Sequence, residues 1–281
     1  DVPVPGRKKQ TNRVLILITV LLCILSGAVC TRSSSELTPA QSQNRLPDMI
    51  VADSEARTSD DTGKEDPFSS PSVSPTPAPT EVPAGSQVAL TFEDGPDIYT
   101  ERLLNALEEQ DAKATFFVVG DAASDFPDTI NRILNTGNEL GNHTYSHETL
   151  TKLDSSEIPY QINDLNQVIE QLTGTSTELL RPPYGAVNET VQENSDFPII
   201  LWSLDSGDKD TSEIGDIVQK VLENVKDGDI IRMHDTHETS VAAAEVLITE
   251  LKNRGFELVT VSELARSKGI DLKAGEIYKN F

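Results

Sequence analysis

From about residue 86 onward, short apolar runs rich in β-forming residues alternate with stretches of helical periodicity. The apolar runs are Val88–Phe92, Glu178–Leu180, Ile199–Leu204 and Asp229–Met233. Between them, apolar residues recur at the spacing of one helix face: Leu103, Leu104 and Leu107; Leu165, Val168, Ile169 and Leu172; Val218, Val221 and Leu222; and Ala244, Val246, Leu247 and Leu251. Strands that alternate with helices predict parallel pairing through crossover connections, and hence an α/β fold.

Polar residues follow each of these runs directly. Glu93 and Asp94 follow the first run, Arg181 the second, Asp205 the third and His234 the fourth. The strands of a (β/α) barrel end at one face, where such enzymes carry their active site. We therefore expect these side chains to share one reactive face.

A histidine pair lies in the segment Gly141–His147, which reads Gly-Asn-His-Thr-Tyr-Ser-His. His143 and His147 are four residues apart, so one helical turn or a tight loop can aim both imidazoles at one point. Two imidazoles and one carboxylate are the ligand set of a catalytic zinc. A histidine pair alone more often satisfies polar positions, and an acidic pair before Gly-Pro more often forms a turn. The joint pattern of segments, in this order, favours a metal site.

Five segments follow one another in a specific order: Thr-Phe-Glu-Asp-Gly-Pro at 91–96, His-Thr-Tyr-Ser-His at 143–147, Arg-Pro-Pro-Tyr-Gly at 181–185, Asp-Ser-Gly-Asp at 205–208 and Met-His-Asp at 233–235. In these segments, and in Ala112–Gly120 and Asn138–His147, the chain resembles the polysaccharide deacetylases of the chitin deacetylase and NodB type, carbohydrate esterase family 4. The resemblance spans about Ser86 to Lys268. It implies a distorted (β/α) barrel with fewer than eight repeats, similar to a TIM barrel, and metal-dependent removal of acetyl groups from N-acetylated sugars.

The resemblance also implies a metal site and a general base. Asp94, His143 and His147 would hold a divalent cation, zinc in the first place, with cobalt or nickel as alternatives. Glu93 takes the position of the general base, which is normally Asp in the family. Arg181 would orient that base.

Further roles follow from the same resemblance. His234 would be the general acid, and Asp208 would hold and tune it, with Asp205 as a second candidate for this support. The backbone N–H of Tyr184 would help to bind the oxyanion. Pro182 and Tyr184 would also line the substrate site.

Three positions depart from the family pattern. Glu93 is one methylene longer than Asp, and a misplacement of about 1 Å can cost 10²-fold in rate. Lys209 stands where the family usually has a tryptophan that lines the substrate groove, and Arg232 stands where it usually has a leucine that lines the acetyl pocket. We expect both residues to contact the substrate. Two explanations stay open: both cations swing out to solvent, or the site has shifted toward an anionic or unusual substrate.

The N-terminal segment has the pattern of an export signal. An uncharged run, Val14–Cys30, follows four basic residues: Arg7, Lys8, Lys9 and Arg13. The run is long for a signal peptide and short for a membrane span. We expect residues 1–30 to form an uncleaved anchor in the cytoplasmic membrane, with the N-terminus inside. A cleaved signal is the alternative, and the protein would then be secreted.

Residues 31–85 are rich in Ser, Thr, Pro and Asp and predict a disordered tether. Residues 86–281 form the expected catalytic domain. Both cysteines, Cys23 and Cys30, precede it, so it has no disulfide framework. An anchor, a tether and a catalytic domain predict an enzyme at the bacterial cell surface that reaches into the cell wall.

The formal net charge of −23 limits the classes of molecule that the chain is expected to bind. Such a surface repels nucleic acid, whereas an uncharged glycan, such as an N-acetylated polysaccharide without acidic groups, is not repelled. Aromatic residues are 5% of the chain, with a single tryptophan, so a broad stacking platform is not expected and Trp202 is assigned to packing. No protein partner is implied. Two other classes of function stay open. One is a catalytically impaired pseudoenzyme that binds the cell wall, and the other is a deacylase of small molecules or esters at the same site.

Overall fold

The computed structural model describes residues 82–281. Its strands are β1 Gln87–Glu93, β2 Ala114–Val118, β3 Glu139–Asn142, β4 Ile199–Ile200, β5 Leu204–Asp205, β6 Ile230–His234, β7 Glu257–Leu258 and β8 Ile277–Tyr278. Its α-helices are α1 Thr100–Glu109, α2 Gly120–Asp125, α3 Pro127–Asn135, α4 Ile158–Thr173, α5 Glu189–Glu193, α6 Ile214–Asn224, α7 Glu238–Asn253 and α8 Val261–Ser267. Two short 3-10 turns cover Leu150–Lys152 and Pro183–Gly185.

The strands form a parallel, barrel-like sheet. A six-stranded sheet has the order β3-β2-β1-β6-β5, with β7 also paired to β1, and β4 pairs with β8. Single parallel bridges through Leu180 join Asn142 to Ile199 and so connect β3 with β4. Every strand pair is parallel. The fold is therefore the α/β type expected from the sequence, and it fits a distorted barrel.

Two predicted strands differ from the observed ones. The run Glu178–Leu180 contributes only the bridge at Leu180. The run Ile199–Leu204 divides into β4 and β5 because the backbone changes partner between them. Leu201 N–H donates to the carbonyl of Tyr278 on β8, whereas Ser203 N–H donates to the carbonyl of Ile230 on β6.

The apolar helix faces pack against a sheet that is buried on both sides. In β1 every residue from Val88 to Glu93 is buried, as expected for the central strand of a parallel sheet. The predicted core positions Leu103, Leu107 and Leu247 are fully buried. Val246 is 42% exposed, so its assignment to the core face of α7 was wrong. Its neighbours fill that face, and position 246 points away from it.

Arg181 lies inside the barrel and is 0% exposed. Its Nε donates to the carbonyl of Ile200 at 3.1 Å, and its Nη2 donates to the carbonyl of Leu201 at 3.2 Å. Its Nη1 donates to Thr91 Oγ1 at 2.9 Å and to Glu93 Oε2 at 3.3 Å. One side chain therefore joins β1 to the β4 region through charged and neutral acceptors.

The first residues that the structure describes contact the rest of the domain. Val82 packs partly against the main core, and its N–H donates to the carbonyl of Arg254 at 3.4 Å. The carbonyl of Pro83 accepts from Ser86. Val82 and Pro83 thus contact the domain, although the sequence placed them in the tether. The expected anchor over residues 1–30 and the tether up to residue 81 lie outside the described residues. Within 82–281, none of the helices has the length and apolar character to cross a bilayer.

Replacing Arg181 with methionine should lower the free energy of unfolding by about 3 kcal/mol. Breaking one partner of a buried ion pair typically costs that much, because the remaining groups lose their compensation. Urea denaturation of the wild type and the variant measures the difference. Arg132→Met is the control, since Arg132 pairs with Glu101 and Glu108 at the surface, where such pairs contribute about 1 kcal/mol or less. Equal losses in both variants would contradict a special role for the buried guanidinium.

Candidate active site

The predicted metal-binding residues converge beyond the ends of β1 and β3. Asp94 follows β1, and His143 and His147 follow β3 in a loop, not in a helical turn. Asp94 Oδ1 lies 3.4 Å from His143 Nε2 and 3.1 Å from His147 Nε2. Asp94, Thr144 and His147 have φ angles of 75°, 71° and 56°. Such left-handed backbone is costly for residues other than glycine and clusters at functional sites.

The donor set fits a divalent cation. His143 Nδ1 donates to the carbonyl of Arg181 at 2.6 Å; because a carbonyl only accepts, the lone pair lies on Nε2. His143 Nε2 and Asp94 Oδ1 are buried without a hydrogen-bond partner, which is unusual for buried polar atoms. Ligands about 2.1 Å from a tetrahedral ion are about 3.4 Å apart, close to the spacing here. Asp94, His143 and His147, whose ligand atoms lie within 4.8 Å of one another, therefore form a candidate metal site.

Glu93, the last residue of β1, is buried among positively charged groups. Its carboxylate lies 3.3 Å from Arg181 Nη1, 3.4 Å from Arg232 Nη1 and 3.3 Å from His234 Nε2. Burial raises the pKa of Glu93, but the hydrogen bond to His234 and the positive charge of Arg181 outweigh it and lower the pKa to about 2. The carboxylate is therefore ionised, firmly held and weakly basic.

His234 lies opposite Glu93 in the register of β1 and β6. Its Nδ1 bonds to Asp208 Oδ1 at 2.9 Å, and its backbone N–H donates to Asp208 Oδ2 at 2.8 Å. Burial lowers the pKa of His234, but the hydrogen bonds to Asp208 and Glu93 outweigh it and raise the pKa to about 9. Its imidazole is therefore a proton donor at neutral pH. The Asp208 carboxylate thus contacts both the ring and the backbone of His234.

Lys209 and Arg232 both point into the site. Lys209 Nζ donates to Asp94 Oδ2 at 3.0 Å, and Arg232 Nη1 lies 3.4 Å from Glu93 Oε1. The explanation that both cations swing out to solvent is therefore wrong. The opposite charge of the two carboxylates draws them inward, and each cation touches one residue of the Glu93–Asp94 pair.

Asp205 supports Arg232 and not His234. Arg232 Nη2 lies 2.7 Å from Asp205 Oδ2, and its guanidinium carbon lies 4.3 Å from the Trp202 ring centroid. Asp205 Oδ1 also accepts from the backbone N–H of Gly207. The expectation that Asp205 is a second candidate to support His234 is therefore wrong. Asp205 instead neutralises Arg232, the cation at a position where the resemblance implied an apolar wall. Trp202 packs in a small core cluster, as expected, and also stacks on this cation.

The Arg-Pro-Pro-Tyr-Gly segment places Tyr184 at the rim. Tyr184 has a φ of 62° within the 3-10 turn and is 66% exposed. Its ring lies edge-on to the imidazole of His147, with 5.0 Å between centroids. Pro182 is buried, so its ring offers little surface to a ligand. Gly185 has a positive φ and no room for a side chain, since a Cβ would lie 2.8 Å from Trp202.

Sequence reasoning missed Asp235, the residue after His234. Asp235 is buried, and Thr100 Oγ1 donates to its Oδ2 at 2.6 Å. Burial raises the pKa of Asp235 to about 7. A Cβ on Gly95 would lie 2.2 Å from Asp235 Oδ1, so this carboxyl group packs directly beneath the loop that presents Asp94. The sequence placed Asp235 in the Met-His-Asp segment without a role of its own. The glycine beside a candidate ligand was a second signal, since it indicates a close approach of the backbone.

Comparisons with known proteins find several relatives of this chain. The family model described as polysaccharide deacetylase matches residues 81–198. The peptidoglycan-N-acetylmuramic acid deacetylase PdaC of Bacillus subtilis is 40% identical over 64% of this chain and 39% of its own length. A solved structure of PdaC superposes with a TM-score of 0.64 at 38% identity, covering 68% of this chain and 94% of that one. A peptidoglycan-N-acetylglucosamine deacetylase of Bacillus cereus is 35% identical over 67% of this chain and 92% of that protein.

The chain spans less than half the length of the first curated relatives that it matches, 39% of one and 44% of another. The match to the Bacillus cereus relative covers nearly all of that protein. The chain therefore belongs to the polysaccharide deacetylase family, carbohydrate esterase family 4, as its motifs implied.

Proposed function

We propose that this chain is a metal-dependent hydrolase that removes N-acetyl groups from N-acetylated cell-surface glycans. The substrate is peptidoglycan or another polysaccharide that contains N-acetylglucosamine. Relatives with this chemistry in their names include the deacetylases of Bacillus subtilis and Bacillus cereus. The observation that supports the proposal most directly is the candidate metal triad with a carboxylate and a protonated imidazole beside it, 3.3 Å apart.

Each side chain has a role that its surroundings support. Asp94, His143 and His147 hold the cation, which we assign as zinc with cobalt or nickel as substitutes. When bound, such an ion polarises an acyl carbonyl and acidifies water. Glu93 accepts the proton of the attacking water, and His234 gives its proton to the departing amine nitrogen.

Three further residues position these groups. Arg181 holds the carboxylate of Glu93, and Asp208 fixes the tautomer of His234 and raises its pKa. The backbone N–H of Tyr184 stabilises the oxyanion that develops on the acetyl carbonyl. The side chain of Tyr184 contacts the sugar at the rim of the site.

One observation favours a second candidate, a wall-binding pseudoenzyme. Lys209 contacts Asp94 and Arg232 contacts Glu93, so both acidic residues of the segment are partly neutralised. The low pKa of Glu93 also weakens it as a base. We infer a slow deacetylase rather than an inactive one, because the ligand triad and the His234–Asp208 pair are both complete. Hydrolysis of aryl acetates without activity on glycans would instead favour the small-molecule deacylase.

We also propose the domain organisation and location. Residues 1–30 anchor the chain in the cytoplasmic membrane or direct its secretion. A tether follows, and the catalytic domain begins by residue 82, where Val82 contacts the core. The domain then works on the outer side of the membrane, against the cell wall.

Replacing His143 or His147 with alanine should abolish stoichiometric zinc binding, because each removes one of three ligands. Metal content after dialysis, measured by mass spectrometry, checks this. His237→Ala is the matched control: of the four histidines in the chain, His237 is the one outside the proposed site, and it is exposed and contacts Thr236. Unchanged zinc content in both triad variants would rule out this site.

Replacing Glu93 with alanine should nearly eliminate acetate release from cell-wall fragments while zinc stays bound. Glu93→Asp should equal or exceed the wild-type rate, by at most about 10²-fold, because the shorter side chain restores the usual position of the base. Mass spectrometry of the fragments before and after treatment gives the rates. A Glu93→Ala variant as fast as wild type would exclude Glu93 as the base. An inactive wild type beside an active Glu93→Asp variant would establish the pseudoenzyme.

The deacetylation rate should fall as the pH rises through about 9, where His234 loses its proton. Asp208→Asn removes a negative partner that stabilises the imidazolium, so the pKa of His234 should fall. The alkaline limb of the pH–rate profile should then move to lower pH by about 1 to 3 units. Asp205→Asn is the control, since Asp205 pairs with Arg232 and should leave the limb in place. A limb that does not move in Asp208→Asn would exclude His234 as the acid.

A further inference from the structure

Lys209 and Arg232 make a cationic spot in a strongly acidic protein. The chain has a formal net charge of −23, yet both cations lie within 3.4 Å of the carboxylates at the centre of the site. Neutral residues at these two positions would make the site more negative by two charges. The two cations therefore lower the repulsion that an anionic group would meet at this site, compared with the rest of the surface.

Arg232 is the fixed member of this pair. Its two terminal nitrogens lie 3.4 Å from Glu93 and 2.7 Å from Asp205, and its face covers Trp202. Its side chain is 19% exposed. With both terminal nitrogens directed at carboxylates, Arg232 has little capacity to bind a ligand directly and instead balances the negative charge beneath it.

Lys209 is the freer member. Its side chain is 39% exposed, twice the fraction of Arg232. Within residues 82–281, Asp94 is the carboxylate that lies within ion-pair distance of it. An ammonium group has three N–H donors, so the contact with Asp94 leaves donors directed to the solvent side of the site.

We propose that Lys209 binds a carboxylate of the substrate and thereby directs the site to acidic N-acetylated sugars. The inference rests on the proposed function. Lys209 Nζ lies 3.0 Å from Asp94, a candidate metal ligand. The substrate carboxylate that Lys209 binds must therefore lie close to the acetyl group that is removed. The substrate class is a sugar that carries a carboxylate on a substituent beside its acetamido group. Arg232 supports this preference through its fixed charge.

A matched pair of ligands tests the proposal with the zinc-loaded full chain. The first is a disaccharide of N-acetylglucosamine and N-acetylmuramic acid, and the second is its carboxyl methyl ester, which has nearly the same shape without the charge. Acetate release gives kcat/KM for each ligand, and titration calorimetry gives Kd independently of turnover. Wild type, Lys209→Met and Lys113→Met are compared.

We expect wild type to favour the free acid over the ester by about fivefold in both kcat/KM and Kd, the size of a half-exposed charge pair. Lys209→Met should abolish that ratio, and 0.5 M salt should reduce it in wild type. Lys113→Met should leave the ratio unchanged. Lys113 has a similar exposure, 42%, and one carboxylate partner, Glu263, but it precedes β2 at the opposite end of the sheet.

Other outcomes have distinct meanings. Equal kcat/KM and Kd for acid and ester in wild type would overturn the inference and leave the proposed function intact. An equal loss on both ligands in Lys209→Met would also overturn it, because Lys209 would then act only through Asp94. Binding that favours the acid and depends on Lys209, without acetate release from either ligand, would support the inference and refute the proposed function.

Discussion

The buried guanidinium of Arg181 is the contact on which both the barrel and the site depend. Its side chain joins Thr91 and Glu93 of β1 to the carbonyls at the end of β4. Its own carbonyl fixes the ring of His143. A fully buried charge is costly unless each donor finds an acceptor, so these acceptors hold one geometry together. The orientations of Glu93 and of the candidate metal ligand His143 are therefore set by the same residue that connects the strands.

The same clustering of charge imposes a compromise on the chemistry. Positive groups around Glu93 keep its carboxylate ionised inside the protein, and they also lower its pKa to about 2. A base is most effective when its pKa is near the working pH, so a firmly held Glu93 is a weaker base. His234 shows the opposite effect, since Asp208 and Glu93 raise its pKa to about 9. In the proposed reaction, the arrangement would thus favour proton donation by His234 over proton removal by Glu93.

Much of the fold and of the candidate site could be predicted from the sequence. The ends of the strands, and the order in which the candidate ligands follow them, are local properties of the chain. The first apolar run, Val88–Phe92, lies within β1, and Asp94, His143 and His147 converge as expected. The inward direction of Lys209 could not be predicted, since it depends on a carboxylate distant in sequence. Asp235 was missed for a related reason: its raised pKa comes from burial beneath Gly95, which no spacing of residues reveals.

Arg232 is held in the wall of the site by its surroundings. A cation at an apolar wall position would normally be excluded from the interior or leave its charge uncompensated. Here Asp205 pairs with one terminal nitrogen, Glu93 lies near the other, and Trp202 covers the face. A cation held from three directions is fixed within this wall. The wall therefore contains a fixed positive charge beside the candidate metal site of Asp94, His143 and His147 and the imidazole of His234.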